Sequence, residues 1–572
     1  MHPTSIAGPR EGLQLIDVVG VVVYLLITAA IVVWSSRRQA TTEDFFLGGR
    51  RMPWAAVGLS LLATLMSSIS YMGVPGEMIS NGITMFAQYL SLPFSMLVVL
   101  VVWVPFFMRL RLTSAYEYLE RRFDYRARLL GGLLFLLLRF GWMSMVMYVG
   151  SLALTQMTES LVPVDQIDPL ASWLTSDAGD SVALRSTLLY WVIGAVGVMA
   201  TIYTCAGGFR AAIWNDVLQA LMLLGGTVVT LGYVMWTTGT GPVDWWEIAS
   251  RHSAGHTHPK WFSFDVTERM TVFTAACLSF FWTICTHGSD QVALQRYFST
   301  TSLSSARRSY IVNAVADLTI GSLLALCGLA LLAFYLQHPT FLPDGMLTPE
   351  DGRVVVTGGD RILPYFFAHQ LPAGIGGVIL AVLLCDAMQT LVSGVNSISA
   401  VFTTDVFSRC YPDGRRWMSD LNLARTLTVV VGLIVTALGI AVAYQIQRSN
   451  RNIIDMMAPA FNMFLGPLAS LFLIGMFLSC KARTALFAAL CSLAISFVWS
   501  YWKELFGTDY QPSITLTTAV PYLAGFLIAA ILSFVLNDRA DDPGRDYMWR
   551  AVMRRSPEVE NAPTNASHGT QP

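Results

Sequence analysis

The stretch GLSLLATLMSSISYMGVPGEMISNGI, residues 58–83, decides how this chain is read. Both of its ends are apolar, yet Thr64, Ser67, Ser68 and Ser70 cluster halfway along it, followed by Gly73, Pro75, Gly76 and Glu77. A helix broken inside lipid leaves backbone groups without partners, and such backbone is tolerated only where it lines a polar cavity. A second stretch, FFWTICTHGSDQVALQRYF at 280–298, is interrupted in the same way at His287, Gly288, Ser289 and Asp290. Ordinary helices with Gly/Pro kinks, their hydroxyls bonded back to their own turns, would account for either break taken singly. Five spans separate the two, as expected if inverted five-helix repeats place a pair of broken helices at the midplane.

The rest of the chain supports a membrane setting. Of its 572 residues, 54% are hydrophobic and only 13% charged, against roughly 25% charged in ordinary soluble domains. Apolar runs of about 18 residues or more number thirteen, near 16–36, 53–80, 84–108, 128–158, 184–206, 211–236, 266–287, 309–336, 371–404, 421–445, 452–477, 483–502 and 515–537. The first run is followed by Ser35-Ser36-Arg37-Arg38, which reads as a cytoplasmic anchor rather than a signal-peptide cleavage site. With the N-terminus outside, the inside loops and C-terminal tail hold 24 of the 36 Lys and Arg residues, so the basic bias fits N-out, C-in. The expected organisation is an extracytoplasmic segment 1–15, an extra first helix 16–36, inverted repeats 53–238 and 266–477, two C-terminal helices in 483–537, and a cytoplasmic, largely disordered tail 538–572. This is an all-α integral membrane protein of the plasma membrane.

Several functions are disfavoured. A net charge of −1 gives no hint of a nucleic-acid partner. No CxxC pair or HExxH motif occurs, and His252, His256 and His258 lie in one outside loop, where a solvated loop or an adventitious metal would account for them. A channel needs a continuous polar pore, whereas the polar residues here concentrate at the two breaks. No signalling domain follows residue 538.

Four stretches carry a resemblance. DFFLGGRRMPWAAVGLSLLATLMSS (44–68), YTCAGGFRAAIWNDVLQALMLLGG (203–226), SDQVALQRYFS (289–299) and AMQTLVSGVNSISAVFTTDVF (387–407) resemble, in order and topology, the sodium:solute symporter family. The resemblance implies a leucine-transporter-like fold and alternating access driven by sodium as the coupling ion, with no organic cofactor. The functional unit is expected to be a monomer carrying a small solute. The Gly-x-Pro-x-Glu run at Gly73–Glu77 looks closest to branches carrying anionic solutes.

By the same resemblance, the main sodium site takes carbonyls at Ala63 and Met66 and groups at Asp386, Gln389 and Thr390. Gln389 stands where the family pattern has Ser, and Asp386 replaces a small residue. Spacing of i, i+3 and i+4 puts the last three on one helix face. A carboxylate inside a span is expensive unless paired or ion-bound, so Asp386 reads as a sodium ligand, a proton carrier, or a structural group that pairs with a cation such as Arg139 or bonds a neighbouring helix. A possible second ion site matches at Asp216 and Ser393, with Val392 where a hydroxyl would stand. Asp216 has the alternative of capping or pairing beside Arg210.

On the solute side, Arg139 lies about a dozen residues into its span, too deep to snorkel easily. Its planar fork suits a carboxylate, and pairing with Asp386 or Glu77 is the alternative. Ser67 and Ser70 at the first break, Gln88 on the third span, Trp142 and His287 complete the candidate solute site, with packing the alternative for Trp142.

Overall fold

In lipid, a long apolar segment satisfies its backbone by forming a helix, and the computed structural model is helical almost throughout. It describes all residues except 1–9, 11–12, 37–40, 111, 159–180, 253–256, 266–267, 343–346, 351–352, 357–358, 408–419, 449–460, 509–511, 539–541 and 556–572. His256, residues 1–9 and 11–12 of the segment 1–15, and the tail beyond Arg555 therefore lie outside the described residues. Eight of the described helices are long and apolar enough to cross a membrane.

The elements used below are α1 (Leu15–Ser36), α2 (Trp54–Leu65), α3 (Ser68–Asn81), α4 (92–110), α5 (Tyr125–Thr158), α6 (Ser181–Thr238), α7 (Val272–Ser289), α8 (Gln291–Phe298), α9 (Leu303–Gln337), α10 (Ile375–Val401), α11 (Asp420–Arg448), α12 (Met463–Phe477), α13 (Ala482–Ser500) and α14 (Ala519–Val535). Among the described residues the only strands are an antiparallel pair, β1 (Leu347–Glu350) with β2 (Arg353–Val356), in the long segment between α9 and α10.

Two expectations change. Spans 184–206 and 211–236 are not joined by a loop. They run on as α6, bent at Gly208, whose φ of 56° and ψ of −165° favour glycine. The Tyr203 hydroxyl donates to the Ala211 carbonyl at 3.1 Å across that corner. The second change concerns Gly73, Pro75 and Gly76, which do not belong to the first helix break. They lie within α3, where close packing accounts for them: a Cβ on Gly328 of α9 would fall 2.7 Å from the Pro75 carbonyl oxygen.

Helix α10 forms the centre of the bundle, every residue from Ile379 to Val401 being buried. The extra first helix α1 is fixed to its start. Asp17 accepts from the backbone N–H groups of Gly374 and Gly377 at 2.7 and 2.8 Å, so a carboxylate meets the positive end of α10. A Cβ on Gly377 would overlap the Asp17 carbonyl oxygen, so the crossing needs glycine. The start of the tail is docked rather than loose. Buried Arg122 holds Asp542 at 2.6 and 2.8 Å and donates to the Gly475 and Leu478 carbonyls, and Val552 is buried.

Candidate ion and solute site

Both expected breaks occur, and both are short. Between α2 and α3 only Met66 and Ser67 are extended (φ/ψ −90°/107° and −107°/173°). The Met66 N–H closes on Leu62. The later carbonyls of α2, Ala63 among them, fall in the last turn, which has no intrahelical donors of its own. Between α7 and α8 a single residue, Asp290, is extended (φ −85°, ψ 120°), and its carboxylate caps α8 by accepting from Val292 N–H at 2.9 Å.

The first break faces the middle of α10. Thr64 Oγ1 lies 3.3 Å from Ser393 Oγ. A Cβ on Gly150 of α5 would touch both Ser68 Oγ (3.2 Å) and the Ala387 Cβ (2.8 Å). Along α10 the polar residues Asp386, Gln389, Thr390, Ser393 and Ser397 recur on one face. A matching polar row on α6, Asn215, Asp216 and Gln219, packs toward it, and Gln219 Nε2 donates to Asp386 Oδ1 at 2.5 Å.

This face is rich in buried polar atoms without protein partners: Ser67 Oγ, Asp386 Oδ2, Thr390 Oγ1, Gln219 Oε1 and both amide atoms of Asn215 and Gln389. Each such atom costs about 1–3 kcal/mol if nothing meets it. Their concentration beside a helix break makes this the candidate place for a cation. The donor set is right for sodium, which takes about five or six hard oxygens. Carboxylate, amide and hydroxyl oxygens are all present on this face. Asp386 is fully buried and accepts from Gln219 on the neighbouring helix α6, while Arg139 is held elsewhere; of the two structural alternatives for Asp386, the bond to a neighbouring helix forms and the pairing with Arg139 does not.

The second ion site is different. Asp216 Oδ2 accepts from Arg296 Nη2 at 2.8 Å, from Ser60 Oγ and from Thr64 Oγ1 at 3.3 Å. Arg296 Nη2 also reaches Ser393 Oγ at 2.8 Å and Thr64 Oγ1. A guanidinium thus already stands between the Asp216 and Ser393 oxygens, leaving only Asp216 Oδ1 without a partner. Arg210, the expected neighbour, instead lies over the Trp34 ring at 4.7 Å. A second cation would sit beside a fixed positive charge. Uptake is accordingly expected to rise with sodium with a Hill coefficient of about 1, checked by sodium titration of solute uptake. Arg296→Met, which leaves Asp216 buried without its cation, is expected to cost about 3–5 kcal/mol of stability by thermal unfolding in detergent, and Arg296→Met/Asp216→Leu to recover most of it.

Arg139 pairs with Asp290, through Nε to Oδ1 at 3.2 Å and Nη2 to Oδ2. Neither Asp386 nor Glu77 is its partner: the second break places a carboxylate nearer. Nη1 is buried without a partner. The guanidinium lies 5.5 Å from the ring of Trp142, which stacks on Trp282 at 6.3 Å and meets Phe461 edge-on at 4.8 Å. Ser70 is half-buried on α3 beyond Ser67, and Gln88 is half-buried in the 3-10 segment before α4, its carbonyl accepting from Ser91. His287 does not join them. Its ring bonds the Tyr297 hydroxyl at 2.8 Å and packs edge-on against Tyr310, within the contact of α7 with α8 and α9.

Sequence reasoning passed over Arg296, Asn215 and Gln219 as site residues. A signal existed in each case, since polar residues in helical register within an apolar run need partners. The segment 290–296 is a set of such partners: Gln291 bonds the loop at Thr113 and Ala115, Gln295 bonds Phe46 and Ser397, and Arg296 bonds Asp216.

Residues 45–161 and 184–492 match the sodium:solute symporter family. The chain belongs to that family. It is a multi-pass membrane transporter, coupling the movement of a small solute to sodium, and not an enzyme. The sodium/sialic acid symporter NanT of Aliivibrio fischeri is 30% identical over 505 residues, covering 87% of this chain and 90% of NanT. The human sodium/iodide cotransporter is 28% identical over 520 residues, 88% of this chain and 74% of its own. The solved structure of a sodium-coupled sialic acid symporter in a substrate-bound outward-open state superposes with a TM-score of 0.72 at 26% identity, covering 91% of this chain and 98% of that one. The symporter described here therefore has the leucine-transporter-like fold.

Proposed function

We propose that this symporter carries a carboxylate-bearing solute inward together with one sodium ion. The ion is held by the Ala63 and Met66 carbonyls with Asp386, Gln389 and Thr390, and the solute by Arg139 with Ser67, Ser70, Gln88 and Trp142. The observation that carries the reading is the group of unpartnered buried oxygens on α10 and at the first break. The anionic cargoes named for relatives, sialic acid and iodide, agree with a guanidinium beside the second break. Residues 53–238 and 266–477 act as the two inverted repeats of a monomeric unit in the plasma membrane, with the N-terminus outside.

Uptake into proteoliposomes, with sodium and proton gradients imposed separately and carboxylates, amino acids and sugars offered in parallel, tests this. The expected result is sodium-driven accumulation of a carboxylate. Accumulation driven by protons alone would favour the second reading, in which the unpartnered Oδ2 of Asp386 carries a proton.

Two ion pairs fit as closures on opposite faces. Arg269, just before α7, is bidentate to Glu77 of α3 at 2.5 and 2.9 Å, and on the side assigned as external it ties the two broken-helix units together. On the other face Arg128 holds Asp405, which follows α10, and Asp405 also accepts from Ser114 at 2.5 Å. Arg269 is 43% exposed, so solvent screens its pair. Arg269→Ala is expected to shift the outward-open population by only about two- to fivefold, read as faster external modification of a cysteine introduced at Ser70.

A further inference from the structure

Between α1, α6 and α11 runs a groove of 610 Å³, lined by Ser36 of α1, by Val198, Thr201, Ile202, Cys205 and Ala206 of α6, and by residues of α11. Val198, Ile202, Val429 and Leu433 are 47, 65, 38 and 54% exposed, so this wall faces lipid. Arg425, only partly buried, stands in the groove. Four arginines within the bundle are each paired with a carboxylate: Arg122 with Asp542, Arg128 with Asp405, Arg139 with Asp290 and Arg296 with Asp216, while Arg109 on α4 donates to the Pro105 carbonyl instead. Among the described residues Arg425 has no carboxylate, and its Nε is buried without an acceptor. Its backbone carbonyl accepts from the Cys205 thiol at 3.8 Å. Arg210 of α6 covers the Trp34 ring of α1, a basic and aromatic pairing typical of a membrane interface.

A guanidinium near the end of a membrane span reaches for the anions of the interface, and its fork matches a phosphate. We propose that the groove binds an anionic phospholipid, with its phosphate on Arg425 and an acyl chain along Val198, Ile202, Val429 and Leu433. Basic pockets between membrane helices on the cytoplasmic side recognise such headgroups. The assignment to the cytoplasmic leaflet rests on the orientation proposed above, whereas the binding itself does not. A soluble anion would account for Arg425 but not for an apolar channel leading from it.

Native mass spectrometry of the delipidated full chain, offered phosphatidylglycerol or phosphatidylcholine, tests the site, together with thermal unfolding under the same conditions. The wild type is expected to retain phosphatidylglycerol preferentially and to be stabilised by it. Arg425→Gln is expected to weaken that retention roughly fivefold. Ala206→Phe, which fills the groove without altering charge, should weaken it too. Equal retention of phosphatidylglycerol by wild type and Arg425→Gln would overturn the proposal. So would millimolar inorganic phosphate reproducing the stabilisation, which would make this an anion site alone. If Arg425→Gln does not yield folded protein, Ala206→Phe decides the matter: undiminished retention there overturns the proposal.

Discussion

Asp386→Asn is expected to lower sodium-driven uptake roughly a hundredfold at limiting sodium, through a higher sodium requirement rather than through loss of folded protein. The substitution keeps shape and keeps an oxygen able to accept from Gln219 Nε2, the 2.5 Å bond that positions the side chain. It removes the one formal negative charge among the residues assigned to the ion. In a fully buried position that charge meets little screening. Uptake into proteoliposomes as a function of sodium, at several fixed pH values, separates the alternatives. If Asp386 ligates sodium, the apparent sodium affinity falls and the maximal rate at saturating sodium is partly regained. If it carries a proton instead, Asp386→Asn abolishes proton-driven uptake together with its pH dependence. An unchanged sodium titration together with an unchanged pH profile would reduce Asp386 to a structural partner of Gln219.

The same residues show what the sequence could and could not disclose. The two helix breaks were legible because lipid tolerates irregular backbone only at polar cavities, so serines and an aspartate in mid-span marked where such cavities lie. Met66–Ser67 and Asp290 are where the chain leaves the helix. The Gly73–Gly76 run misled, since Gly and Pro signal a break locally, yet their effect here is to let α3 and α9 approach at Gly328. That requires knowing which helix lies opposite. Partnership was the least legible property. Arg296 and Asp216 are 80 residues apart and Arg139 and Asp290 are 151 apart, and spacing along a helix is silent about contacts between helices. Asp216 therefore left two readings open, an ion ligand or a salt-bridge partner beside Arg210, and the side-chain cation found beside it is Arg296.

That hidden partnership bears on the proposed solute site. Arg139 uses Nε and Nη2 on Asp290 and keeps Nη1 buried without a partner, so a carboxylate bound as proposed would meet a fork already half neutralised. Arg139→Gln removes the fork and leaves Asp290 without its cation beside the second break. Its expected effect on an acidic solute is a loss of at least about a hundredfold in kcat/KM, with a stability cost of about 3–5 kcal/mol for the uncompensated charge. Asp290→Asn separates the two. Asparagine can still accept from Val292 N–H and cap α8, while the guanidinium is released to the solute. A lower KM for the acidic solute, by about tenfold, is expected together with a lower kcat, because tighter holding of the loaded state does not hasten its reorientation. Neutral solutes should gain nothing from Asp290→Asn. KM and kcat measured for both variants with an acidic and a neutral solute check this. If both variants lose acidic and neutral transport in equal proportion, the pair is a latch of the second broken helix and the carboxylate is bound elsewhere.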